Sequence, residues 1–458
     1  MTAGTSRQLT HPRPVSAIAV SRAGQSHLPP AASQPLDSPD VLATITFYIG
    51  LGLVFVKFAM LQEIQSVVMH FNAHLMYLFG IPALAGVVLA GGLLRAMCVR
   101  AAFLWVGFVG WMIVATPFSV WRGDSFRTVF AFVRGEFVLF FVIAGLAVTW
   151  RQCSLVLKAI ALAAVAELAA VKLLSTPGQD RVSLNWGGTT ANSNDLAALL
   201  LLTIPLLLLA AYQTRWIVFR IAGYLLVAAG FITVLKTGSR GALLALGADI
   251  LFLLFRGSAR QRIALVCVVP LAAAAAMVLV PGTILNRLRS FSGTPQNAQS
   301  VEALESSESR EYLFKKGIEY SLEFPLLGVG PGQFPNYEGG HNLVVNGRRG
   351  MWHDTHCTWL QASSECGIPA LVFLLGAYIS SFLLLNRTYR AAKTRPECSD
   401  IAQTCFYLML AFIGFFIAIS FLNFAYHFLG PALGGLSISV WRAAKVEFER
   451  RQPVPVAI

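Results

Sequence analysis

Residues 353–385, HDTHCTWLQASSECGIPALVFLLGAYISSFLLL, join a segment rich in titratable groups to a long run without charge. The run from 368 to 385 is long enough, at about 1.5 Å per helical residue, to cross most of a bilayer core. A helix is the expected form there, because it satisfies its own backbone hydrogen bonds in lipid. This stretch therefore predicts a membrane-spanning helix with histidines and carboxylates at its entry.

The whole chain has the composition of a membrane protein. Of its 458 residues 56% are hydrophobic and 12% are charged, whereas soluble domains average about 25% charged residues. We predict an all-α polytopic integral membrane protein with about twelve transmembrane helices and one long extracytoplasmic loop. The predicted spans are 41–60, 75–94, 101–120, 136–150, 152–174, 195–212, 216–235, 241–255, 263–282, 367–386, 403–422 and 427–441.

The ends of the chain differ in composition from the rest. Residues 1–40 are rich in Pro, Ser and Ala and lack the apolar core of a signal peptide, so they predict a disordered cytoplasmic tail. Residues 41–442 are expected to form a single membrane domain that includes an outer loop at 283–366. Residues 443–458 are expected to form a second cytoplasmic tail.

The charge of +13 follows the predicted topology. Lys and Arg recur in every second loop, which by the positive-inside rule predicts two cytoplasmic termini and excludes nucleic acid as the expected partner. A second set of cations falls in segments predicted to lie outside. It predicts an anionic ligand, with lipid head groups as the alternative. These residues are Arg122, Arg127, Arg134, Arg181, Lys236, Arg240, Arg287, Arg289, Arg310, Lys315, Lys316, Arg348 and Arg349.

The segment KTGSRGALLAL, 236–246, places Lys236 and Arg240 where one predicted span ends and the next begins. Gly238 and Gly241 allow a tight turn there, and Ser239 can cap the new helix. Cations at a helix N-terminus are unfavourable without a partner, and an anion supplies one. The alternative is an interfacial arginine that extends to the membrane surface.

The segment SSESREYLFKKGIEYSLEFPLLGVGPGQF, 306–334, predicts an amphipathic helix that ends before Pro325. Glu311 and Lys315 form an ordinary exposed i,i+4 pair, which leaves Arg310 without such an explanation. The GVGPG turn lacks the Lys-Ser/Thr of a phosphate loop, so we predict a flexible turn over a site.

His353 and His356 share a face if their segment is helical. Three interpretations remain open: a metal pair without an evident third ligand, interfacial histidines without chemistry, and a general base acting on a hydroxyl acceptor. In the last, which we favour, Glu365 or Asp354 orients the imidazole.

The segment TTANSNDLAALLLLTIPLLLL, 189–209, opens a further span with Asn192 and Asn194. A helix cap uses one of these amides, and the surplus predicts hydrogen bonds to a sugar. Arg134 and Glu136 lie two residues apart, so they are expected to have different partners.

Three ordered motifs resemble the O-antigen ligase and O-antigen polymerase superfamily of bacterial membrane glycosyltransferases. They are Thr-x-Ser-Arg-Gly at 237–241, Ser-x-x-Arg with Pro-x-x-Gly-x-Gly at 307–330, and His-x-x-Trp-Leu-Gln with Glu-x-Gly at 356–367. The resemblance covers roughly 40–440. One departure is Cys357, where Asn commonly follows the histidine.

The resemblance implies an inner-membrane enzyme of the integral-membrane glycosyltransferase fold, with its active site in the periplasm. It would transfer a glycan from undecaprenyl diphosphate to a hydroxyl of lipid A core or of a growing polysaccharide, without metal or other cofactor. By position, Arg240 and Arg310 would hold the diphosphate and His356 would serve the acceptor. Lys236, Ser239, His353, Gln361, Glu365, Asn192 and Asn194 are the further binding candidates. A secondary transporter of an anionic solute is the rival function.

Overall fold

A computed structural model describes residues 41–175, 181–184, 190, 192–289, 298–341 and 350–451. The predicted N-terminal tail and residues 452–458 of the predicted C-terminal tail lie outside the described residues. Arg348 and Arg349 do so as well, as do the side chains of Arg287 and Arg289. The α-helices within the described part are α1 Val41–Phe58, α2 Leu61–Met69, α3 Leu75–Leu89, α4 Gly92–Ala96, α5 Arg100–Ala115, α6 Arg122–Ala131, α7 Val138–Leu146, α8 Trp150–Leu174, α9 Ser193–Gln213, α10 Ile217–Lys236, α11 Arg240–Arg256, α12 Ala259–Leu279, α13 Gly282–Arg289, α14 Ala298–Glu323, α15 Phe334–His341, α16 Thr358–Lys393, α17 Ser399–Ile419 and α18 Leu429–Arg450.

Every predicted span coincides with a helix, which confirms the all-α polytopic fold. Nine helical segments in the described part are long and apolar enough to cross a membrane. Three further predicted spans coincide with α3, with the 17-residue α11, and with α18, whose second half is charged. The nine segments are Val41–Phe58, Arg100–Phe118, Arg122–Leu146, Trp150–Leu174, Ser193–Gln213, Ile217–Lys236, Ala259–Leu279, Thr358–Lys393 and Pro396–Ile419.

The centre of the bundle is formed by α9 and α17. The most apolar stretches of these two segments are 78% and 72% buried, whereas that of α12 is 6% buried. Both α9 and α17 contribute side chains to the main hydrophobic core on several faces. The polar groups at the ends of these two helices therefore lie near the middle of the bundle.

A π-helical turn, Phe132–Phe137, interrupts the span Arg122–Leu146. Both Arg134 and Glu136 lie in this turn, and their partners differ as predicted. Glu136 accepts from Lys57 of α1 at 2.7 Å and from the Phe428 amide at 3.2 Å. Arg134 lies instead against the rings of Tyr77 and Phe130.

The long connection between α12 and α16 has a small core of its own. It contains Leu313, Tyr320, Val329, Phe334 and Tyr337, contributed by α14, α15 and the turn between them. The helix predicted from 306 begins earlier, at Ala298, and ends at Glu323 as expected. Glu311 and Lys315 pair at 2.7 Å on its exposed face. The Ser321 hydroxyl hydrogen-bonds that of Ser363 at 2.7 Å, which holds α14, the helix that carries Arg310, against α16.

Candidate active site

The turn between α10 and α11 has the predicted geometry. Gly238 has φ of +62°, which favours glycine, and the Ser239 hydroxyl accepts a hydrogen bond from the Ala242 amide at 3.4 Å. Gly241 is helical, and a Cβ there would lie 3.0 Å from the Phe421 ring. The second glycine therefore permits close helix packing and not the turn itself.

A pocket at this turn joins three polar residues that are far apart in sequence: Asn194 from α9, Ser239 from the turn and Arg310 from α14. Arg240 lies between two lining residues and is partly buried, but it is not itself part of the lining. The complete lining is Asn194, Ala198, Ser239, Gly241, Ala242, Arg310, Ala418, Phe421 and Leu422. Two of the three predicted motifs thus meet at one site.

Arg181 holds two sides of this pocket together. Its guanidinium donates to the Asn194 side-chain oxygen at 2.8 Å and to the Thr237 carbonyl at 2.7 Å. The sequence identified Arg181 only as one of many outer cations, because the contacts that distinguish it are tertiary. Its role in the described structure is to fix Asn194 relative to the turn.

Asn192 and Lys236 have mainly local roles in the structure. The Asn192 oxygen caps α9, accepting from the amides of Asn194 and Asp195 at 2.8 and 3.2 Å. Asn194 is consequently the surplus amide that reaches the pocket. The carbonyl of Lys236, at the end of α10, accepts from the Val182 amide at 3.1 Å.

His356 does not lie on a helix. Residues 350–357 are irregular and α16 begins at Thr358, so the condition under which His353 and His356 would share a helical face is not met. His356 has φ of +49°, a strained value for a non-glycine residue. His353 is exposed and His356 is partly buried.

The electrostatic environment keeps the His356 imidazole neutral. Burial, which contributes most, and the positive charges of Arg310 and the neighbouring His353 together lower its pKa to about 4. Because this pKa lies well below neutrality, the ring can accept a proton at pH 7 without first losing one. Arg310 therefore faces both the pocket and the histidine.

Glu365 does not orient His356. Its carboxylate is buried and accepts from the Gly332 amide at 2.8 Å and the Tyr426 hydroxyl at 2.7 Å. Asp354, the other predicted orienter, hydrogen-bonds Asn423, and burial raises its pKa. In the described part of the chain neither carboxylate hydrogen-bonds the imidazole.

Residues 420–428, here called the connector, join α17 to α18 beneath the histidine segment. The Gln361 side-chain oxygen accepts from the Ala425 amide at 3.1 Å, and the Thr358 hydroxyl accepts from the Phe424 amide at 3.0 Å. Gln361 is 7% exposed. Its amide oxygen is therefore occupied in holding the connector, although the sequence suggested a substrate contact.

Glu338 fixes the histidine segment to α14 and was not identified from the sequence. It is fully buried, and one oxygen accepts from the Tyr312 hydroxyl at 3.0 Å. The other accepts from the amides of Met351 and Trp352 at 2.7 and 2.9 Å. Tyr312 lies two residues after Arg310, so this carboxylate sets the spacing between the arginine and His356.

The GVGPG turn is packed and not the flexible cover that we predicted. The Val329 and Gly330 amides donate to the carbonyls of Ser364 and Glu365 at 2.9 and 2.8 Å. Those carbonyls are available because α16 breaks at Gly367, where φ is +83°. The turn therefore ties the long connection to the broken helix.

Gly330→Ala should destabilise the protein by at least about 1–3 kcal/mol. Its φ is +116°, and an added Cβ would lie 2.0 Å from the Ser119 hydroxyl. Thermal unfolding of the detergent-purified variant measures the effect. Gly123→Ala is the control, because a Cβ there meets nothing within 4 Å; equal melting temperatures for both variants would contradict the packed turn.

In the described residues no group of three or more His, Cys, Asp or Glu side chains is arranged to hold a metal ion. The functional groups that do converge are guanidinium, imidazole, hydroxyl and amide. These groups suit an anion and a hydroxyl acceptor.

About a third of the chain is similar to a known protein family. Residues 225–375, about a third of the chain, match the family model described as O-antigen ligase. The matched range includes the 236–242 turn, Arg310, the GVGPG turn and His356. A search of curated proteins finds no match. This polytopic membrane protein therefore contains, at 225–375, a domain similar to the O-antigen ligase family, which supports a glycosyltransferase-type role in polysaccharide biosynthesis.

Proposed function

We propose that the protein transfers a glycan from undecaprenyl diphosphate to an acceptor hydroxyl at the periplasmic face of a bacterial inner membrane. The observation that carries this proposal is the position of Arg310. It lines a pocket with Ser239 and Asn194 and also acts electrostatically on His356. One guanidinium can therefore hold the leaving group beside the base that activates the acceptor.

The diphosphate binds between the start of α11 and α14 in this proposal. The α11 N-terminus supplies partial positive charge, and Arg240 and Arg310 supply guanidinium donors. Ser239 and Asn194 contact the phosphate or the first sugar. The prenyl tail stays in lipid, which agrees with a pocket at the end of membrane-spanning helices.

In the reaction His356 accepts the proton of the acceptor hydroxyl as that oxygen bonds to the anomeric carbon. The bond from this carbon to the diphosphate oxygen breaks with inversion, and undecaprenyl diphosphate leaves with the electron pair. Arg240 and Arg310 stabilise the charge that develops on it. A fixed donor at such an oxyanion contributes about 3–4 kcal/mol to transition-state stabilisation.

The charge distribution supports a periplasmic site. By the positive-inside rule, Lys and Arg in alternate loops predict cytoplasmic termini, and with this orientation α10 would end and α11 would begin outside. The pocket at this turn then faces the compartment in which surface polysaccharides are assembled.

Binding of a labelled undecaprenyl-diphosphate glycan to the purified protein tests the donor site. We expect Arg240→Ala to weaken binding by about tenfold or more, because it removes a charge-assisted contact. Arg260→Ala, at an exposed arginine that begins α12, is the matched control. Unchanged donor binding in Arg240→Ala would contradict the assignment, and proton-coupled uptake of a soluble anion by proteoliposomes would favour the transporter.

Metal independence is a separate prediction. We expect a chelator to leave transfer unchanged within about twofold, because guanidinium groups perform the charge stabilisation. The rate is measured with and without EDTA. Loss of activity that added zinc or magnesium restores would overturn this part of the mechanism.

The acceptor can be identified in cells. Deletion of the gene followed by gel analysis of surface polysaccharide separates the two family activities. Loss of long-chain lipopolysaccharide with free polymer retained indicates a ligase, and products with a single repeat indicate a polymerase. An unchanged profile would point to another acceptor, such as a protein hydroxyl.

A further inference from the structure

One outward face of the span Arg122–Leu146 combines aromatic and cationic side chains. Phe126, Phe130 and Arg134 follow at intervals of four residues and therefore lie on one side of the helix. Phe126 and Phe130 are 63% and 51% exposed, and their rings stack with centroids 6.0 Å apart. Exposed phenylalanines suit lipid, but an exposed arginine among them is costly without an anionic partner.

Arg134 is held by rings and not by a carboxylate. Its guanidinium lies 5.1 Å from the Phe130 ring centre and 5.4 Å from that of Tyr77 in α3. Glu136, the nearest acid in sequence, is paired with Lys57 at 2.7 Å. A ring face stabilises the cation but leaves guanidinium N–H donors for another acceptor. In the described residues no carboxylate supplies that acceptor.

A second cation and open space accompany Arg134. Arg127 precedes it by seven residues, about two helical turns, and is also exposed. It too has no carboxylate partner in the part of the chain that the structure describes. A Cβ added at Gly135 would meet nothing within 4 Å, so a ligand has room beside the π turn.

An apolar surface continues from this cluster along α3. Leu78, Ile81 and Val88 are 63%, 65% and 56% exposed, and the stretch from 78 to 88 extends for about 15 Å along the helix. Tyr77 lies at the start of this surface and contacts Arg134. The two features together match a molecule with a phosphate at one end and an acyl chain at the other.

We propose that Arg134, Arg127, Tyr77 and Phe130 form a binding site for the phosphate of an anionic membrane lipid, with its acyl chain along α3. The site goes beyond the proposed function, because it does not use the donor pocket. The connector lies between the two sites: Phe421 and Leu422 line the donor pocket, whereas Phe428 donates its amide to Glu136. Glu136, two residues after Arg134, therefore holds the opposite end of the segment that supports His356.

Native mass spectrometry of the full-length protein with dioleoyl phosphatidic acid and dioleoyl phosphatidylcholine tests the proposal. We expect the wild-type protein to bind phosphatidic acid about tenfold more tightly, and Arg134→Gln to remove most of this preference. Tyr77→Leu should weaken it by about threefold through loss of the cation–π contact. Arg134→Lys, which keeps the charge, should retain part of the preference, and Arg260→Gln should retain all of it.

Equal binding of the two lipids, or an unchanged preference in Arg134→Gln, would overturn the proposal. Displacement of phosphatidic acid by inorganic phosphate would identify a site for free phosphate and overturn the assignment to lipid. These measurements need no transferase activity, so their failure is distinguishable from failure of the proposed function.

Discussion

His356→Ala is expected to lower the rate of glycan transfer by about 10²–10⁴-fold, the usual contribution of a general base. Donor binding should remain within about threefold of the wild-type value, because the pocket at Ser239 and Arg310 is not lined by the histidine. Transfer from a labelled undecaprenyl-diphosphate glycan by the purified protein measures the rate, and donor binding is measured separately.

His353→Ala is the matched control. His353 precedes His356 by three residues and is exposed, so its loss should change the rate by less than about tenfold. Full transfer activity of His356→Ala would refute the base assignment. The reverse ranking, with His353 essential and His356 dispensable, would transfer the role to the exposed ring.

Arg310→Gln is expected to reduce the transfer rate by about 10²–10³-fold, as for loss of one fixed donor to a developing oxyanion. It should also change the pH dependence. Arg310 contributes to the depression of the His356 pKa to about 4, so its removal raises this pKa toward the ordinary value of 6.5. The acid limb of the pH–rate profile, measured between pH 4 and 8, should then shift to higher pH.

Stability provides a second measurement of the same coupling. In the wild-type protein the unfolded state binds a proton at His356 near pH 6.5, whereas the folded state does so only near pH 4. The free energy of unfolding therefore falls as the pH drops from 6.5 to 4. In Arg310→Gln the folded-state pKa lies closer to 6.5, so the decrease in this free energy should be smaller. Lys315→Gln, on the exposed face of α14, is the control. An identical acid limb in Arg310→Gln and the wild type would contradict the coupling.

Local sequence signals predicted several parts of the site correctly. Gly238 and Ser239 form the predicted turn and cap, because a positive φ and a short side-chain acceptor are properties of single residues. Arg310 was singled out because Glu311 and Lys315 on the same helix form an ordinary exposed ion pair, whereas the sequence offers no such explanation for Arg310. Arg310, Ser239 and Asn194 line the same pocket. The sequence motifs that contain or flank these residues do not specify the distances between them.

Other predictions failed where long-range contacts decide the conformation. The sequence left open whether 353–357 is helical; the segment is irregular, and Glu338 binds the Met351 and Trp352 amides just before it. The GVGPG turn has the composition of a flexible loop, yet the break at Gly367 frees carbonyls that bind it. Glu365, a plausible partner for a histidine by sequence, is used to order that turn.

The sequence by itself determined the class of fold and the approximate helices, and it predicted candidate residues for the site, because length, hydropathy and caps are local properties. Only the tertiary structure decided which helices lie inside. The windows in α9 and α12 have nearly equal mean hydropathy, 2.2 and 2.3, but are 78% and 6% buried. Lipid and protein interior are similarly apolar, so hydropathy cannot distinguish them, and side-chain packing and interhelical contacts make the choice.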